Sequence, residues 1–179
     1  MSWRTASFYS GSSILRYEIL YISEMKMNTL MVLSMLLMAN LYAQENTEKI
    51  MERKVFNPWT WQNERQYVQA VEVKNPESTL YISGQTAIDT NGVSSTANFA
   101  NQLLLTIANL EEVIANADYR NADITRITVY TVSFDELGQN FNIIQDWIAE
   151  NDMKIAVTVV EVSKLYETTL VEMEAIAVK

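Results

Sequence analysis

The stretch "TLVEMEAIAV" (169–178) decides the fold. Leu170, Glu172, Glu174 and Ile176 alternate with Thr169, Val171, Met173, Ala175 and Ala177, which is the period of a β-strand. The second set is small to medium-sized and almost wholly apolar, so that side faces a packed layer. The first set carries carboxylates between aliphatic residues. A strand of this kind sits in a sheet covered on one side, with a second side left to be covered by something else.

Working outward, "IAVTVVEV" (155–162) and "ITRITVYTV" (124–132) are β-branched runs of strand length. Between them, Leu137 to Glu150 reads as a helix with Phe141, Ile144 and Ile148 on its inner face and Asp135 near its N-terminus. Upstream, Phe99, Leu103, Ile107, Leu110 and Ile114 form one stripe of a long helix that runs to Ala117, with Ser94 or Ser95 as its N-cap. "DTNG" (89–92) is the strongest turn signal in the chain. "YVQAVEV" (67–73) and "TLYIS" (79–83), joined by "KNPES", read as a hairpin. The order β-β-α-β-α-β-β predicts an α/β fold of the α+β kind, a two-layer sandwich with helices on one face of a mixed sheet. An uncovered apolar sheet face predicts an oligomer.

The N-terminus has another character. From Met25, "MKMNTLMVLSMLLMANLYAQ" places Lys26 before an apolar run, Leu30 to Ala39, and Ala43 before Gln44, the order of a secretory signal peptide. That run is shorter than the ~20 residues that span a bilayer, and Met and Leu surround it without a polar face. The expected organisation is therefore a mis-annotated extension at 1–24, a signal peptide at 25–43, an extended arm at 44–66 and the domain at 67–179. In the arm, "NPWTWQ" predicts that Trp59 and Trp61 dock their rings on the domain. The chain is expected to be exported, to the periplasm, with no stable membrane association after cleavage.

Composition removes whole classes of chemistry. With 13 basic against 22 acidic residues the net charge is −9, and the basic residues are scattered, which disfavours nucleic acid as a partner. Histidine and cysteine are both absent, so zinc sites of the common kind, thiol nucleophiles and histidine triads are excluded, and no metal or cofactor is expected. No P-loop, GxGxxG or acidic metal cluster occurs. Any general base is a carboxylate, a lysine, a tyrosine or water.

Glu172 and Glu174 lie on the same side of their strand; the plain reading is a solvated face, the sharper one a carboxylate that positions water at a subunit seam. Ser83, followed by Gly84, offers a hydroxyl beside a free N–H but has no activator, so it reads as a hydrogen-bonding residue. Tyr67 at a strand start reads as core, and Asn140 near a helix start as a cap or a surface residue.

"LYISGQTAID", "NLEEVIANA", "ITRITVYTVSFDEL", "VVEVSKL" and "LVEMEAIAV", in this order between Tyr67 and Lys179, resemble the Rid family, also called YjgF or L-PSP-like proteins. The resemblance implies a chorismate-mutase-like fold and a homotrimer with ligand sites between subunits. It also implies hydrolysis of reactive enamine and imine intermediates such as 2-aminoacrylate, with an arginine clamping the substrate carboxylate and a glutamate placing water. By this resemblance Glu172 is the catalytic carboxylate and Tyr67, Ser83 and Asn140 (or Phe141, one residue on) line the cleft. Val157 stands where the family has its arginine, and Lys154 reaches that place only with a backbone shift.

The expected function is then a homotrimer that binds a small uncharged or cationic metabolite in intersubunit clefts without the standard imino-acid deaminase activity. Two other readings stand beside it: an enamine or imine deaminase using Glu172 and water, and a non-catalytic structural or partner-binding trimer.

Overall fold

The structure, a computed structural model, describes residues 11–45, 50–61 and 63–179. Part of the expected N-terminal extension (1–10) and part of the expected arm (46–49 and 62) lie outside the described residues. The chain divides into two units, residues 1–49 and 50–179.

The first unit holds one helix, α1 (Gly11–Glu45). It runs continuously through Met25 and Ala43, the expected start and cleavage points of the signal peptide. Its apolar span, Leu15–Asn40, is 26 residues, which by length and composition is enough to cross a bilayer. The Leu30–Ala39 run alone is not; the additional length comes from the helical turns before it, with Leu15, Ile19 and Leu20. A signal sequence near an N-terminus has the same properties.

In the second unit the elements are β1 (Glu52–Phe56), β2 (Ala70–Lys74), β3 (Thr79–Thr86), α2 (Phe99–Asn116), β4 (Ile124–Thr131), α3 (Phe134–Glu150), β5 (Ala156–Glu161) and β6 (Val171–Val178). A four-stranded sheet has the order β3-β6-β4-β5, with β4 and β5 parallel and the other pairs antiparallel. Helices α2 and α3 cover one face. Leu103, Leu110 and Ile114 of α2 and Ile144 and Ile148 of α3 pack on Ile127 and Val129 of β4 and on Val171, Met173, Ala175 and Ala177 of β6. Each large side chain so buried stabilises the fold by about 1.5–3 kcal/mol. Glu172, Glu174 and Ile176 lie on the opposite side, half-buried, so the alternation within β6 divides the covered face from the open one, whereas Leu170, just before the strand, packs against the core. From β2 to β6 the order is β-β-α-β-α-β-β, and the α+β two-layer sandwich is the fold.

The pairing of the first strands differs from the expected hairpin. β2 pairs with β1, from Glu52↔Lys74 to Phe56↔Ala70, and β3 pairs with β6, from Thr79↔Val178 onward. The β3–β6 pairing continues past the strand ends, where Ser78 and Lys179 exchange reciprocal backbone bonds of 2.7 and 3.1 Å, while β2 is drawn to β1 instead of to the other edge of β3. "ERKVF" is too polar to be recognised as a strand, yet Arg53 fixes it. Its guanidinium donates to the carbonyl oxygens of Ala122, Asp123 and Val178. This anchor holds the arm in place of the tryptophans, whose rings stack on each other at 6.5 Å and stay more than half exposed instead of docking on the domain.

Both helix starts are also shifted. Asn98, rather than Ser94 or Ser95, caps α2 by accepting from Asn101 N–H. The Gln102 side chain explains this: its amide donates to Ser95, Ala97 and Thr168 carbonyls and accepts from Leu170 N–H, holding 95–98 out of the helix. Ser133 caps α3 by accepting from Glu136 N–H, so that helix begins before Leu137, with Asp135 and Glu136 in its first turn. In the "DTNG" turn the Asp89 carboxylate accepts from Asn91 and Val93 N–H at 2.9 Å each, and Gly92 takes φ +80°.

Asp123 sits under the Arg53 anchor. Burial pushes its carboxyl up, but the Arg120 side-chain and backbone hydrogen bonds and the charges of Arg120 and Arg53 outweigh this, so it lies below the usual carboxylate range. A depressed folded-state value adds stability above the ordinary carboxylate pKa, and that stability is lost as pH falls through the folded value. Urea unfolding of the wild type is therefore expected to lose stability below about pH 4 more steeply than Asp123→Asn does. Parallel curves for the two proteins would show that Asp123 is not responsible.

Candidate functional site

Beside β5 the chain approaches the sheet edge. Val68 N–H donates to the Ile155 carbonyl at 2.9 Å and forms a parallel bridge with Ala156. Just before it, Gln66 takes φ +65°, a left-handed conformation that costs about 1 kcal/mol or more in a residue of this type. The bend turns the arm across the end of α3, where the Gln145 side chain donates to the Glu64 carbonyl. A cavity of about 680 Å³ lies between arm, α3 and β5. Val157, Val159, Leu137, Phe134 and Phe141 form its hydrocarbon wall; Trp61, Glu64, Arg65 and Tyr67 of the arm and Gln145 form the rest. The Arg65 guanidinium stands over the Trp61 ring, 5.8 Å from its centroid.

A second, shallower depression of about 250 Å³ lies on the open sheet face, lined by Tyr81, Ser83, Arg126, Thr128, Glu174 and Ile176. The pairing of β3 with β6 is irregular between Ile82 and Gln85, which is a bulge at Ser83–Gly84. The Glu172 carboxylate lies against this bulge: a Cβ at position 84 would be 1.8 Å from its Oε1, so a side chain there would displace the carboxylate. Next along the face, Tyr130 O–H donates to Glu174 Oε1 at 3.2 Å. Desolvation and the neighbouring Glu174 charge push the Tyr130 phenol above its ordinary pKa, so it stays a proton donor. Arg126 Nη2 donates to Thr158 Oγ1 at 3.3 Å on the same face.

Of the residues expected to form the site, Tyr67 and Val157 share the larger cavity and Ser83 lines the smaller one. Glu172 lies beside Ser83, on the open side of β6, whereas Val157 packs toward the helices. Within one chain Glu172, the expected catalytic carboxylate, and Val157, the position the resemblance gives to an arginine, are on opposite faces of the sheet. Asn140 lines neither cavity; its amide donates back to the Glu136 carbonyl, and Phe141 is the residue that reaches the cavity. Lys154 also lies outside both, paired with Asp152 at 2.7 Å. The site residues that the sequence reading missed are Arg65, Trp61 and Phe134. The signal for Arg65 was its place two residues before Tyr67 in "NERQY". Among the described residues no group of three or more metal-ligating side chains occurs.

Residues 60–179 match the family model described as endoribonuclease L-PSP. A RutC family protein of Buchnera aphidicola subsp. Schizaphis graminum is 32% identical over 114 residues, covering 63% of this chain and 87% of that protein. Among solved structures, the Rid family protein YyfB of unknown function from Yersinia pestis superposes with a TM-score of 0.63 at 29% identity, covering 71% of this chain and 98% of its own. The YjgF gene product of E. coli superposes with a TM-score of 0.53 at 25% identity, covering 63% and 87%.

Proposed function

Because this chain belongs to the endoribonuclease L-PSP family, the Rid or YjgF proteins, we propose that it binds a small metabolite in a cleft completed by a second copy of the chain and lacks the standard imino-acid deaminase activity. Val157 carries this reading. It places an aliphatic side chain, flanked by Val159 and Phe141, on the wall where the family resemblance calls for a guanidinium. A charge-assisted hydrogen bond contributes about 1.5–3 kcal/mol. A three-carbon imino acid that loses a bidentate pair of this kind is held neither firmly nor in one orientation.

The same facts support the homotrimer. Glu172 and Val157 face opposite sides of one sheet, so a cleft that uses both draws them from different copies, and the open face of β3, β6 and β4 is the surface available for the contact. Export, with α1 as its signal, completes the proposal. A second reading, hydrolysis by Glu172 and water, has one observation in its favour: the carboxylate occupies the space that a side chain at Gly84 would fill, against the β3 bulge. Ribonuclease activity, which the family description names, is disfavoured by a net charge of −9 and the absence of histidine.

The test is release of ammonia and pyruvate from 2-aminoacrylate generated in the presence of the purified protein. The expected rate equals that of spontaneous hydrolysis. An acceleration that Glu172→Ala abolishes would overturn the proposal in favour of the second reading. Mass spectrometry of the protein's N-terminus checks export; a chain that begins at Met1 in the cytosol contradicts it.

A further inference from the structure

The cavity beside β5 is not without a cation. Arg65 enters it from the arm, and among the described residues it pairs with no carboxylate. Its guanidinium lies over the Trp61 ring at 5.8 Å, within cation–π reach, and a guanidinium is the group suited to bidentate recognition of an oxyanion. The walls opposite are apolar and partly flat: Phe134, Phe141, Val157 and Val159. We propose that Arg65 is the anion-recognising residue of this cavity, and that the cavity takes a small carboxylate carrying a flat apolar body, an arylalkyl carboxylate being the simplest case. This deepens the reading of the cavity as a ligand site and rests on it, and it reverses the charge preference that Val157 alone implies.

The chemistry narrows the class in two ways. Glu64 lines the same cavity, and the chain as a whole carries −9, so one negative charge matched by one arginine is tolerated whereas a phosphate or a dicarboxylate is repelled. A volume of about 680 Å³ with aromatic walls gives a three-carbon acid little to touch, whereas a ring buries its faces against Phe134 and Phe141.

Calorimetric titration of the full chain with 3-phenylpropionate, 3-phenylpropanol and 3-phenylpropylamine separates charge from body. The carboxylate is expected to bind most tightly. Arg65→Ala, a change at the exposed end of a short 3₁₀ turn, is expected to weaken it about tenfold or more and to leave the alcohol unchanged, with Arg65→Lys recovering part of the loss. If the alcohol or the amine binds as tightly as the carboxylate, or Arg65→Ala leaves the carboxylate's affinity unaltered, the assignment to Arg65 is overturned while the cavity stands as a ligand site. If none of the three binds, the ligand-site reading itself fails and the assignment falls with it.

Discussion

Arg53→Ala is expected to destabilise residues 50–179 by about 2–4 kcal/mol and to release β1 from the domain. The guanidinium donates to carbonyl oxygens of Ala122, Asp123 and Val178 and lies 4.0 Å from the Asp123 carboxylate, so one side chain joins the arm, the turn before β4 and the end of β6. Truncation leaves those acceptors with nothing in the protein to replace the donor. The loss is smaller than the sum of separate charged bonds because burial already opposes the charge; it lowers the Arg53 pKa despite the attraction of Asp123. The Nε atom is in addition buried without a partner. Arg53→Met, which keeps the stem and removes that atom, is therefore expected to cost less than alanine. Denaturant titrations measure both, and hydrogen exchange at β1 and β2 amides reports the release. A change under about 0.5 kcal/mol for alanine, with β1 protection retained, would show that the arm is held elsewhere.

Val157→Arg is expected to raise 2-aminoacrylate hydrolysis about 10–100-fold over the wild type. β5 is fixed in register with β4 by the Ile127↔Val157 pair, and position 157 is only half-buried, so a longer side chain extends into the cavity without displacing the strand. Tyr67 and Glu64 line the same space and offer polar contacts to the new guanidinium. On the proposed intersubunit cleft the gain requires Glu172 of a second copy, and it is expected to vanish in Val157→Arg/Glu172→Ala. A folded Val157→Arg protein that gains nothing would mean that position 157 is not what limits the reaction. Phe141, in the place that the family resemblance gives to an asparagine, would then be the next residue to change.

How far the sequence foretold these features depended on the kind of pattern each one carries. β6 and α2 were legible because their buried residues repeat at strict intervals, Val171 to Ala177 by two and Phe99 to Ile114 by three or four. β1 was not, because "ERKVF" has no apolar face; what makes it a strand is a single arginine reaching backbone carbonyls 69 to 125 residues away. The start of α2 escaped for a similar reason: Ser94 and Ser95 have capping chemistry, but Gln102 holds their backbone from below. In the candidate site, Tyr67, Ser83, Val157 and Glu172 could be located because each sits in or beside a strand whose register the pattern fixes. Asn140 and Phe141 are told apart only by the rotation of α3, and Arg65 ends a single 3₁₀ turn, Asn63–Arg65, too short to carry a periodic pattern. Loop positions carry function with no periodicity to announce it.

β6 is the last strand in chain order, yet it lies between β3 and β4. Until it is made, β3 has no neighbour in the sheet, and α2 and α3 have only part of their floor. A ribosome that has released β5 therefore holds a chain with its helices formed and its core unsealed. Closure of the sheet waits on one late segment, Val171–Val178. Up to that moment the polypeptide is open to chaperones, proteases and any machinery that threads unfolded chains; after it, the sheet closes as a unit.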